Sequence, residues 1–144
     1  MTIIGLNNQV VDEVMSNKLQ RVIYLSDVNR DVFDSDALTS ILKTARKNNA
    51  SQGITGMLVC DYYHFLQVLE GDSDNVHAIY SAITSDSRHS GLKLIEDVPI
   101  ENRLFGEWAM GFSNIVQSSV GSLAELDANE AITLLIAQSK KQVS

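Results

Sequence analysis

The 144-residue sequence predicts an α+β fold whose elements run β-α-β-β-α-β-β, with a further helix in the tail. Three observations predict it. Short apolar runs of strand length are bounded by turn residues. Two of the intervening segments repeat apolar residues at helical spacing. The first run, RVIYLS at 21–26, is apolar on both parities, so both faces of its strand need cover.

The elements follow in order. Val22, Ile23, Tyr24 and Leu25 form the first strand. After the polar turn DVNRDVFD, Ser35 is placed to cap a helix carrying Leu38, Ile41, Leu42 and Ala45. That stripe runs on to Asn49, which puts a neutral amide in line with an apolar face. NNASQG breaks the helix, with Gly53 as its stop. ITGMLVC at 54–60 is the second strand, DYYH a short hairpin connection, and HFLQVLEG at 64–71 the third strand. Asp72 and Ser73 are the cap candidates of a second helix, whose stripe is Val76, Ile79, Tyr80 and Ile83. LKLIEDV at 92–98 is the fourth strand, stopped by Pro99. IENRLFGE is an irregular link, and WAMGFS at 108–113 is the fifth strand. In the tail, Asp127 and Glu130 resemble a capping box ahead of Ala131, Ile132, Leu134, Leu135 and Ile136. Such a string packs as a ferredoxin-like, split βαβ sheet with two helices on one face. The tail helix, within 114–144, then covers the other face. Residues 1–18 are a leader in which Val10, Val11 and Val14 suit a turn or two of amphipathic helix.

The totals narrow the function classes. The chain is 44% hydrophobic and 20% charged, an ordinary globular composition. A net charge of −7 argues against nucleic acid, which is bound through cations, and against an anionic membrane surface. Cys60 is the one cysteine and can make no internal disulfide, so a reducing, cytoplasmic setting is expected. No apolar run is long enough to span a bilayer, and the first residues lack the basic region of a signal peptide. His64, His77 and His89 have no metal-ligand spacing. Cys60 sits among strand hydrophobes and reads as an inert thiol rather than a nucleophile.

Gln67 is the residue these exclusions leave unexplained. It lies mid-strand between Leu66 and Val68, on the parity of Phe65 and Leu69. A carboxamide offers two donors and two acceptor lone pairs, and burying it unpaired costs about 1–3 kcal/mol. It therefore faces water on an edge strand, meets a protein partner, or meets a non-protein group. If the faces align, Tyr24, Gln67, Trp108 and Met110 converge near Asn49. In SDSRHS, Asp86, Arg88 and His89 either end the second helix or rim a polar ligand.

Together RVIYLS, NNASQGITGMLV, FLQVLEG, the DSRHS turn and FGEWAMGFS resemble a BLUF domain, the family of blue-light sensors that use flavin. The resemblance covers Leu19 to Ser113, with 1–18 as leader and 114–144 as a helical extension. It implies a ferredoxin-like sheet with a flavin held noncovalently between the two helices, usually FAD, with FMN or riboflavin as alternatives. It assigns Asn49 to the pyrimidine edge of the flavin and Asn48 to the neighbouring wall. Ile41, Phe65 and Ile83 would lie against the ring, with Arg88 and His89 around its edge or ribityl chain. Tyr24 matches the photoactive tyrosine and Gln67 the glutamine that bridges tyrosine and flavin. Trp108 and Met110 match the last-strand pair whose position responds to light. The implied photocycle moves an electron and then a proton from Tyr24 to the flavin and back. It leaves a different Gln67 hydrogen bond at flavin C4=O and a small red shift. Ala45 departs from the pattern, since several relatives carry a hydroxyl there.

The sequence carries no fused cyclase, phosphodiesterase or DNA-binding domain, so the expectation is a photosensor that is not an enzyme. Its signal would leave through an unidentified downstream protein or a changed homo-oligomer. The alternative from another class is a ferredoxin-like small-ligand regulatory module or an acylphosphatase-type enzyme. The latter would use Arg30, but VNRD has no supporting loop glycine.

Overall fold

The structure, a computed structural model, describes residues 18–29, 35–115 and 123–141. The leader through residue 17, Arg30 and the side chain of Ser35 lie outside the described residues, and with them the expectations placed there. The described chain forms β1 (Leu19–Val28), α1 (Ser35–Gln52), β2 (Thr55–Cys60), β3 (His64–Asp72), α2 (Ser73–Thr84), β4 (His89–Ile100) and β5 (Gly111–Asn114). A single 3₁₀ turn, Leu123–Glu125, precedes α3 (Ala128–Ser139).

The strands lie in the order β4-β1-β3-β2-β5. β1 pairs antiparallel with β3 and β4, and β3 pairs antiparallel with β2. β5 adds on parallel to β2. This is the ferredoxin-like split βαβ sheet that the element order predicts, extended by one strand. Each of the two helix crossovers joins parallel strands that have one strand between them.

Alternation divides the core into two layers. Val22, Leu58, Phe65 and Leu69 pack with Leu42, Val76 and Met110 on the side of α1 and α2. Ile23, Leu25, Met57, Val59, Leu66 and Val68 pack with Leu123, Ala131 and Leu135 on the side of α3. The two-sided apolarity of β1 thus has its cause: consecutive residues feed different cores. Local chemistry sets the helix ends. Asp72 caps α2, its carboxylate accepting from the Asp74 N–H at 3.0 Å. Asp127 and Glu130 form the expected capping box at 2.8 and 3.0 Å. Gly53, at φ 67°, takes the left-handed conformation that ends α1.

Two expectations need correction. Pro99 does not stop the fourth strand, which runs on to Ile100 with Pro99 opposite Gln20. β4 is a sheet edge, where a missing N–H need not remove a ladder bond. The fifth strand begins at Gly111, not Trp108. The carbonyls of residues 108–110 are instead taken by the Gly56 N–H, the Asn49 amide and the Arg46 guanidinium, at 3.0, 2.8 and 3.0 Å. This stretch therefore leans on β2 and α1 rather than joining the ladder. Gly56 itself has no room for a side chain, since a Cβ there would meet the Val68 carbonyl oxygen of β3 at 2.1 Å.

The link that carries the chain from one sheet edge to the other is fastened by Glu70. Its carboxylate is fully buried and accepts from the Leu104 and Phe105 N–H groups at 3.0 and 2.7 Å. Arg21 supplies the countercharge at 3.2 Å. A buried carboxylate is tolerable only with such a set of partners.

Candidate functional site

Gln67 lies on β3, the central strand of the five, and is 6% exposed. The water-facing option for it is therefore excluded. Register places Tyr24 of β1 directly opposite on one side and Leu58 of β2 on the other. The Tyr24 hydroxyl donates to Gln67 Oε1. The Gln67 amide nitrogen donates to the Met110 sulfur at 3.3 Å. A thioether is a weak acceptor, so the nitrogen end of this carboxamide is poorly satisfied by the protein.

Burial holds the Tyr24 phenol in its protonated form, raising its pKa well above the ordinary tyrosine value. Charges at Tyr80 and Asp86 add to the effect. A protonated phenol can donate or accept; here it donates, to Gln67 Oε1.

Tyr24 and Gln67 form part of one wall of a cavity of about 220 Å³ between α1, α2 and the sheet. From the sheet come Tyr24, Leu58, Phe65, Gln67 and Leu69. From α1 come Ile41, Thr44, Ala45, Asn48 and Asn49, a run at helical spacing along one face. From α2 and the turn after it come Ile79, Ala82, Ile83, Asp86, Arg88 and His89. The apolar stripes of both helices are only half-buried along this stretch: Ile41, Ala45, Ile79 and Ile83 are intermediate in exposure.

The polar groups occupy two ends. Asn49 is 2% exposed, and its nitrogen donates to the Ala109 carbonyl. Its oxygen has no partner among the described residues. At the other end Asp86 grips Arg88 through Nε at 2.9 Å. The Arg88 hydrogen bond holds the Asp86 carboxyl below the usual carboxylate range.

The arrangement suits a flat, mostly apolar ring system whose edge both donates and accepts. Its faces would cover the two half-buried stripes. Its edge would meet the Asn49 oxygen and the Gln67 nitrogen, the two poorly satisfied groups. An isoalloxazine is such a ring, so the residues present fit a flavin.

Of the residues singled out from sequence, Tyr24, Ile41, Asn48, Asn49, Phe65, Gln67, Ile83, Arg88 and His89 all line this one cavity. Met110 and Trp108 do not. Met110 stands behind Gln67, with its side chain on the amide. Trp108 is half-buried and lies in the irregular stretch, with its carbonyl on Gly56. Sequence reading missed Thr44, Leu58, Ile79 and Ala82 as lining residues. Helical spacing finds Thr44 from Ile41, Ile79 from Ile83 and Ala82 from Ile79, and the hairpin register opposite Gln67 finds Leu58. The Ala45 departure is softened by its neighbour, because Thr44 also lines the cavity and carries a hydroxyl.

Comparison with known proteins adds an independent line. Residues 19–111 match the family described as BLUF, sensors of blue light using FAD. The photoactivated adenylate cyclase subunit beta of Euglena gracilis is 34% identical over 93 residues, covering 64% of this chain and 11% of that protein. The blue light- and temperature-regulated antirepressor BluF of Escherichia coli is 35% identical over 71 residues, covering 49% of this chain and 17% of that protein. The chain thus spans between a tenth and a fifth of the length of these two relatives. The solved ground-state structure of BlsA superimposes with a TM-score of 0.78 at 23% identity, over 88% of this chain and 91% of that one. The match over 19–111 takes in every element from β1 to the start of β5, with the cavity and its tyrosine–glutamine pair inside it. The chain therefore belongs to the BLUF family of blue-light sensors that use flavin.

Proposed function

We propose that Tyr24 and Gln67 are the photoactive pair of this sensor, and that FAD is the flavin, held with its ring in the cavity between α1 and α2. The hydrogen bond from the buried Tyr24 hydroxyl to Gln67 Oε1 carries this reading. Bound flavin supplies the blue-light absorption and a one-electron acceptor. Tyr24, a protonated phenol at the cavity wall, is the protein's electron and proton donor. Gln67 is the group that records the event, because a carboxamide presents an acceptor at one end and a donor at the other. Rotation or tautomerisation changes what it offers Tyr24, Met110 and the ring edge without moving β3. Asn49, and Asn48 beside it, hold the polar edge of the ring. Ile41, Phe65 and Ile83 pack against its faces, and Arg88 stands at the rim.

The record at Gln67 has a route outward. Its amide contacts Met110, whose carbonyl is held by Arg46. Met110 leads directly into β5, where the Ser113 hydroxyl donates to the buried Gln138 of α3 at 2.5 Å. We place the sensor domain at 19–113 and the output in the extension 114–144, acting on a partner protein or a second copy of the chain. The antirepressor among the relatives is a precedent for signalling to a partner. Among the described residues no helix is long and apolar enough to cross a membrane. The lone buried Cys60 fits a reducing, cytoplasmic setting.

Absorption spectra before and after blue light test the reading. The purified chain should be yellow and shift slightly to the red on illumination. Tyr24→Phe should stay yellow and lose the shift. A chain that takes up no flavin, or a Tyr24→Phe variant that keeps a normal shift, overturns it. Size-exclusion runs in the dark and under blue light, with pull-down from lysate, test the output. Identical results in both conditions remove it.

A further inference from the structure

His89 lines the cavity, yet both of its ring nitrogens are engaged elsewhere. Nε2 lies 2.8 Å from the Ile83 carbonyl oxygen, and Nδ1 lies 2.7 Å from the Ser26 hydroxyl oxygen. A carbonyl oxygen can only accept, so Nε2 carries hydrogen. In the neutral ring Nδ1 is then the acceptor, and the fully buried Ser26 donates to it. The Ile83 carbonyl lies in the last turn of α2, where it also accepts from the Asp86 N–H at 3.0 Å. His89 thus ties the end of α2 to β1, two residues from Tyr24.

The ring is also in contact with the photoactive wall. Its centroid lies 6.1 Å from that of Tyr24 at 67°, and 6.1 Å from that of Phe65 at 71°, edge-on in both cases. Tyr80 braces Tyr24 as well, 5.7 Å away and tilted by 57°. An edge-to-face neighbour limits the swing of a phenol ring. The swing that matters here would carry the Tyr24 hydroxyl off Gln67.

We propose that His89 is a positioning residue for Tyr24 and gives the flavin no hydrogen bond of its own. Its Nε2–H tautomer, held between Ile83 and Ser26, props the Tyr24 ring with its hydroxyl on Gln67. The proposal rests on the Tyr24–Gln67 reading above and deepens it, since it removes one polar group from flavin binding and gives it to the geometry of the electron donor.

Two measurements on the flavin-loaded chain test it. Imidazole ¹⁵N shifts locate the ring proton, and the proposal requires it on Nε2. A proton on Nδ1 overturns the proposal. These shifts are read in the dark, so they judge the strut whether or not Tyr24 is photoactive. The second measurement uses Ser26→Ala, which removes the donor to Nδ1 at a position outside the cavity lining. Its flavin dissociation constant should stay within about threefold of the parent, the low end of what losing a ligand hydrogen bond costs. Its yield of the red-shifted state per absorbed photon should fall by a larger factor. An affinity loss that equals or exceeds the loss of yield, or an unchanged yield, overturns the proposal.

Discussion

Replacing Asn49 by alanine should separate two contributions that this residue makes. The first belongs to the protein alone. Asn49 donates to the Ala109 carbonyl at 2.8 Å from a position that is 2% exposed. Alanine leaves that carbonyl without its partner, which costs about 1–3 kcal/mol. The second belongs to the flavin. Asn49 lines the cavity, and its oxygen has no partner among the described residues. If it accepts from the ring edge, alanine removes a further hydrogen bond worth about 0.5–1.5 kcal/mol. Urea unfolding without flavin, and at a fixed excess of it, reads the two apart. Bound flavin raises stability by RT ln(1 + [L]/Kd), about 2.7 kcal/mol at a hundred times Kd. In Asn49→Ala the flavin-free stability should drop by about 1–3 kcal/mol. The flavin increment should shrink by a further 0.5–1.5 kcal/mol or so at the same flavin concentration. Asn49→Asp is the companion: it keeps an acceptor but sets a carboxylate against the Ala109 carbonyl. It should lose at least as much flavin-free stability as alanine while retaining more of the increment. An unchanged increment in Asn49→Ala refutes the flavin contact, and an unchanged flavin-free stability refutes the tie to Ala109.

Other expectations follow from the same geometry. Ser113→Ala leaves the buried Gln138 without its 2.5 Å partner and should speed amide exchange in α3, with a stability cost of about 1–3 kcal/mol; unchanged exchange there argues against a β5–α3 tie. Leu135→Ala opens a cavity under α3 at a fully buried position and should cost about 2–5 kcal/mol in urea unfolding. Cys60 is buried, and burial pushes its thiol up to about 11, with Asp61 adding to the effect; a thiol reagent at pH 8 should label it only as fast as the protein opens, and rapid native labelling contradicts that. The Asp86 carboxyl is held below its unfolded value of 3.8 by the Arg88 hydrogen bond. Its contribution to stability is therefore complete above that value and disappears as pH falls through the lowered folded value. Arg88→Met should flatten this acid limb, as read by stability measured from pH 5 downward.

The sequence made the architecture legible because its local and global signals agree. The two-parity run at β1, the stripes of α1 and α2, and the capping box of α3 each state one element and one buried face. The cavity was legible for a related reason. Asn49 and Gln67 are neutral amides in line with apolar neighbours, and such placement demands a partner. The last part of the site was less legible because it is made by side chains from a distant helix. Nothing in WAMGFS says that Asn49 and Arg46 will take the carbonyls of Ala109 and Met110 and keep them out of the ladder. The alternation of that run reads as strand, and the strand begins only at Gly111. Pro99 misleads in the opposite sense, because edge position, which lets a strand pass through proline, is a property of the sheet and not of the segment. The fastening of 104–105 to Glu70 is equally hidden, since a lone glutamate at a strand end carries no sign of burial.

The two borders of the sheet restrict how any downstream protein can read this sensor. One border is β4, interrupted by Gly91 at φ 61°, irregular in register against β1, studded with Lys93 and Asp97, and carrying Pro99. The other is β5, four residues long. Neither offers a long, flat row of free amides onto which a foreign strand could zip. Among the described residues, both borders thus carry features that oppose the addition of a foreign strand. A partner of the kind proposed above would therefore read side chains rather than backbone.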